Sequence, residues 1–158
     1  MSRKPGIKTT IRTDFDPKQI KKIMDKVLIE YVNRVTTRLQ QSIKITLSKP
    51  GSGNKWPGLS YTSAAIGQPP TVQTGRLRGS WITQAARSPA KKVPNGVKLS
   101  LGTDVLYAKI LDLGNHPFIS PALESGRFRR GVKKETARLE RKTREAITNS
   151  SKKRKVVK

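Results

Sequence analysis

The chain has 158 residues, with 34 Lys/Arg against 10 Asp/Glu, a formal net charge of +24, and only 34% hydrophobic and 5% aromatic residues. That length supports one lean core and not two, and so much positive charge demands a polyanion or an acidic protein to relieve self-repulsion. The absence of cysteine excludes disulfides and thiolate metal sites, and no apolar run approaches the roughly 20 residues that span a bilayer.

The charge is uneven. Residues 1–60 hold 13 Lys/Arg and 4 Asp/Glu, residues 61–126 hold 7 and 3, and residues 127–158 hold 14 and 3. The middle is the near-neutral packing unit, and partners are expected at the basic flanks. The opening MSRKPGIKTT has no apolar stretch of the kind a secretory signal needs, so assembly in cytoplasm-like surroundings is expected.

Ile7, Thr9, Ile11, Thr13 and Phe15 alternate with polar residues, which predicts a half-buried strand. Asp16 offers a capping oxygen and Pro17 a preset φ for the start of a helix. From Ile20 through Met24, Leu28, Tyr31, Val35, Leu39 and Ile43 to Leu47, apolar residues recur at threes and fours. That period predicts one long amphipathic helix, ending before Lys49-Pro50-Gly51.

Residues 48–79 are rich in Gly, Ser, Pro and Asn and read as a long flexible loop that orders on assembly. Its GSGNKW does not complete a phosphate-binding loop. Asn54 follows Gly53 and Trp56 follows Lys55, where Gly-Lys and then Ser/Thr are required. Ser80 to Arg87 predicts a strand, with Trp81, Thr83 and Ala85 on one side. Asn95-Gly96 marks a turn, and Val97, Leu99 and Leu101 a returning strand. Asp104 is expected to cap a short helix in which Leu106, Ile110 and Leu113 share a face, closed by Gly114. Pro117 to Pro121 reads as a rigid apolar turn. A second long helix runs over 121–148, with a break expected at Gly126 or Gly131 and a narrow stripe of Phe128, Val132, Leu139 and Ile147.

The order of elements predicts an α+β fold: a small, mainly antiparallel sheet packed by the long N-terminal helix, plus a short helix and a long basic C-terminal helix. It forms one domain over 1–148, followed by a disordered basic tail over 149–158.

Little here suggests catalysis. The one histidine, His116, precedes Pro117 in a turn, and the acidic residues are scattered; Asp14 and Asp16 belong to a helix start, and Glu140 and Arg144 are spaced as a helical ion pair. No catalytic residue, metal ligand or cofactor is expected, and the chain reads as non-enzymatic. Contact with DNA or an acidic partner is expected from Arg127, Arg129, Arg130, Lys133, Lys134, Arg138, Arg141, Lys142 and Arg144, then Lys152, Lys153, Arg154 and Lys155. No interleaved aromatics or base-reading motif accompany them. A sequence-independent nucleic-acid-binding protein is therefore one reading of the chain.

A second reading comes from the middle. Thr74-Gly75-Arg76-Leu77-Arg78-Gly79-Ser80-Trp81, then Leu106-Tyr107-Ala108-Lys109-Ile110-Leu111-Asp112-Leu113-Gly114, then Pro117-Phe118-Ile119-Ser120-Pro121-Ala122-Leu123 follow one another after a Pro-rich turn. This ordered set resembles the tail-completion or head–tail joining proteins of long-tailed bacteriophages, over about Gly67 to Leu123. The chain departs from that family at Leu113, where an aromatic often follows the acidic residue, and in its added basic tail.

The resemblance implies a structural protein of the virion neck, assembled in the host cytoplasm as a homo-oligomeric ring, with six copies expected. Its partners would be portal-side and tail-tube proteins, with genomic DNA in the lumen. Arg76, Leu77, Arg78, Trp81, Tyr107, Asp112 and Phe118 are the subunit-interface residues it points to. Within TGRLRGSW, Gly75 permits a positive φ. Leu77 and Trp81 are expected to face inward, leaving Arg76 and Arg78 for carboxylates or phosphates.

Overall fold

A computed structural model describes residues 17–55, 57–58, 60–71, 75–87, 90–94 and 96–152. The strand expected over 7–15, its following Asp16, and Lys153, Arg154 and Lys155 lie outside the described residues. The fold is α+β. Its elements are α1 (Pro17–Thr46), α2 (Arg76–Arg87), β1 (Lys91–Val93), β2 (Gly96–Lys98), α3 (Ala108–Leu113), α4 (Ile119–Glu124) and α5 (Gly126–Lys152).

Helix α1 is the amphipathic helix that its period predicts. α5 lies antiparallel along it: Glu30 meets Lys142, Arg38 meets Glu135, and Ser42 meets Ser125. Gly131 is buried in this seam, and a Cβ there would lie 3.3 Å from Cδ of Arg38. The missing side chain lets Arg38 lie across α5 and reach Glu135 at 3.1 Å.

The core sits at one end of this pair. Ile43 and Leu47 of α1 close on Leu77 and Trp81 of α2, Val105, Ala108 of α3, and Phe118 and Ala122 around α4. Trp81 and Phe118 meet edge to face, with centroids 6.1 Å apart and planes at 77°, the arrangement that ring quadrupoles favour. The Gln40 amide donates to the Trp81 carbonyl at 2.6 Å, tying α1 to α2.

Two expectations about local structure are corrected here. Ser80 to Arg87 belongs to a helix, which begins at Arg76 directly after Gly75 at φ +71°. Leu77 and Trp81, four residues apart, then share one helix face, and their burial against α1 outweighs the alternation seen further along. The expected apolar turn over 117–121 is the start of α4. The Asp112 carboxylate accepts the Phe118 and Ile119 amides, both at 2.9 Å, and so supplies the cap that α4's own residues lack.

The second long helix breaks at Ser125, one residue before Gly126. The Ser125 hydroxyl accepts the Phe128 amide at 3.2 Å, a regular N-cap, while Ser42 donates to the Ala122 carbonyl at 2.7 Å. α5 continues to Lys152, beyond the boundary expected at 148. Asp104 does not cap α3, which begins at Ala108 with Tyr107 in the cap position. Thr103 organises the entry by accepting the Val105 amide.

The two strands form an antiparallel hairpin with Val93 opposite Gly96, shorter than the returning strand expected over 97–101. It is fixed to α1 by the Ala90 amide on Asn33 Oδ1 and by the Lys92–Asp25 ion pair.

The described residues of the long loop carry their own order. Gly53 donates to Ser63 and Ser63 to Asn54, both backbone to backbone, and Gln68 Oε1 accepts the Ser52 and Ala65 amides. Gly67 donates to the Asn115 carbonyl at 2.7 Å, and His116 Nδ1 lies 3.1 Å from the Gln68 carbonyl. These bonds satisfy backbone groups that a flexible loop would leave to water.

Candidate assembly surface

The α3 segment presents Leu106, Ile110 and Leu113 to solvent, while Ala108 and Leu111 pack on the core. Its backbone bonds run back to Val105, Tyr107 and Ile110; Ile110 and Leu113 lie three apart on the helix, and Leu106 stands in the turn that leads into it. Ala108 is buried on the other side, where Asp112 is engaged with α4. Leu106 is 93% exposed, and Ile110 and Leu113 are each 75% exposed. Ile66, 83% exposed, is carried beside the end of α3 by the neighbouring Gly67–Asn115 bond. Scattered single apolar residues are ordinary on a surface; a contiguous group marks a contact site.

Beside this face opens a cleft of about 650 Å³ whose apolar lining includes Leu47, Leu77, Leu111 and Tyr107. Arg76 and Arg78 also line it, as does His116. Arg78 reaches across to Ser48, Nη1 to Oγ at 3.2 Å. Tyr107 and Leu111 are at once part of the α3 segment and wall of the cleft, so face and cleft form one continuous surface.

The residues expected at a subunit interface thus divide. Arg76, Arg78 and Tyr107 are accessible and stand together at the cleft. Leu77, Trp81 and Phe118 are core residues, with Phe118 at 0% exposure, and offer no side-chain surface to a neighbour. Asp112 is spent on the backbone of α4. Leu106, Ile110 and Leu113 are the additions. Their grouping was legible in the sequence, but its outward direction depends on how Ala108 and Asp112 are held.

The basic residues of α5 divide as well. Arg127, Arg129, Arg130, Lys133, Lys134, Arg141 and Arg144 are exposed, and Arg127, Arg130, Lys134 and Arg141 follow one another at threes, fours and sevens along the outer face. Arg138 and Lys142 turn toward α1 instead, where Glu30 draws them together with Arg34. The Lys142 hydrogen bond, then that of Arg34, holds the Glu30 carboxyl below the ordinary glutamate range, against a smaller opposing effect of burial. Lys152 closes α5, and its side chain is outside the described set.

Among the described residues, no three His, Asp or Glu side chains gather as metal ligands would, and no helix is long and apolar enough to cross a membrane. No family model, curated protein or solved structure matches the chain.

Proposed function

We propose that this chain is a non-enzymatic structural protein of the neck of a long-tailed bacteriophage. In this reading six copies form a ring that joins or completes the tail at its head-proximal end, against tail-tube and portal-side proteins. The observation that carries the proposal is the outward apolar face of α3. The stretch Leu106–Gly114, one of those that resemble the joining proteins, carries three large apolar side chains that the described residues leave uncovered, as a contact surface for an assembly partner would be. The three resembling stretches also meet in one core, through Leu77, Trp81, Ala108, Phe118 and Ala122, so they act as one folded unit. The exposed cations of α5 would face DNA in the lumen or an acidic neighbouring ring, offsetting repulsion between copies at +24 each.

The test is to locate the polypeptide. Proteomics of purified particles, with antibody labelling in electron micrographs, should find it in intact virions and at the junction of head and tail. Particles lacking it overturn the proposal.

The outer stripe of α5 supports a second reading, a free nucleic-acid-binding protein. Tight binding of duplex DNA by isolated monomers, with no co-migration with tails, would favour it over the neck.

A further inference from the structure

We infer that the α3 face and its adjoining cleft form the docking site for an acidic amphipathic segment, most simply a helix, of a different protein. This rests on the reading of α3 as an assembly surface and names what covers it. Along the site, Leu106, Ile110 and Leu113 form an apolar strip. Exposed Lys109 borders one side, and Arg76 and Arg78 line the cleft on the other. An apolar strip between two cationic edges is the complement of a helix with leucine-like residues on one face and carboxylates flanking them. Arginine in particular holds carboxylates through paired N–H donors.

A second copy of this chain does not supply that complement. Among the described acidic residues, Asp25, Glu30 and Glu135 are engaged in internal ion pairs. Asp112 is engaged with α4, and Glu145 lies 3.7 Å from Arg141. The exposed Asp104, Glu124 and Glu140 lie on three separate segments, and each copy carries a formal +24, so a second copy meets this basic site with net repulsion. Charge thus assigns the site to a component other than the next copy.

The probe is a fluorescein-labelled synthetic helical peptide with leucines at i, i+3, i+4 and i+7 and glutamates at the remaining positions. Its control carries lysines for the glutamates. Anisotropy titrations use the full chain at moderate salt. The acidic peptide should bind and the basic one should not. Leu106→Gln, Ile110→Gln and Leu113→Gln keep the charge constant and alter exposed positions only; circular dichroism confirms the fold. Each should weaken binding, and the three together by about thirtyfold or more, the scale of a lost hot spot. The pair Arg76→Gln and Arg78→Gln should weaken it comparably. Affinity unchanged by the three glutamines would reduce the interaction to general charge attraction and overturn the inference. So would self-association of the wild-type chain in sedimentation that the glutamines abolish. Either result leaves the neck assignment standing, since that depends on the particle.

Discussion

Glu30 of α1 and Lys142 of α5 meet at 2.5 Å, and the same carboxylate also receives Arg34 at 3.0 Å and lies 3.9 Å from Arg138. One anion thus joins the two longest helices of a chain whose charges are mostly positive. Replacing it with Glu30→Gln leaves three cations facing one another. A loss of about 1 kcal/mol is expected, because these groups are partly solvated and screened. Urea denaturation measures it, and added salt should recover part of the loss by weakening the remaining repulsion.

Acid should act through the same residue. The folded carboxyl titrates below the unfolded one, which lies near 4.5 as for an ordinary glutamate. Its contribution is therefore present above the unfolded pKa and lost as pH falls through the folded pKa. Wild-type stability should decline on acidification below about pH 4.5, in the ordinary range of free glutamate, with a steeper slope than Glu30→Gln shows. Equal slopes in the two proteins would mean that the carboxylate is not coupled to folding.

Asp112→Ala leaves the Phe118 and Ile119 amides without their acceptor and should cost about 1–2 kcal/mol. Asp112→Asn retains one acceptor oxygen and should recover most of that. Thermal melts of the two variants make the comparison. A loss equally large in both would indicate that the negative charge, rather than the cap geometry, matters.

Gly51 lies where a Cβ would overlap the carbonyl oxygens of Ser63 and Thr62. Gly51→Ala should push the loop apart, at a cost of about 1–3 kcal/mol. Hydrogen exchange at the Gly53 and Ser63 amides should then rise toward unprotected rates. Unchanged protection there would show that the loop absorbs a methyl group without moving.

If the outer face of α5 binds phosphates, replacing Arg127, Arg130 and Lys134 together with Gln removes three contacts. The slope of log affinity for duplex DNA against log salt should then fall by about 3. An unchanged slope would move the nucleic-acid contact elsewhere.

Much of the long-range plan was legible in the residues. α1 follows from its period, and Gly75 took the left-handed conformation that TGRLRGSW calls for. Leu77 and Trp81 did turn inward, yet on a helix. The alternation of Trp81, Thr83 and Ala85 looked like a strand, while the spacing from Leu77 to Trp81 carried the helical signal. The cap on α4 could not be read locally, because Asp112 reaches it from six residues upstream through the α3 turn. Nor could the fate of Arg138 and Lys142, which only the antiparallel meeting of α1 with α5 brings to Glu30.

Within α1, full burial begins at Ser42, and nearer its start the described side chains hold to α5 and the hairpin while partly wet. The body resembles a clothes-peg sprung at one end. Heat and denaturant attack the spring; counter-ions govern the jaws, where like charges press apart as ionic strength drops. Stability and electrical surroundings are coupled by this arrangement, since screening ions reach the wet half and leave the dry core untouched.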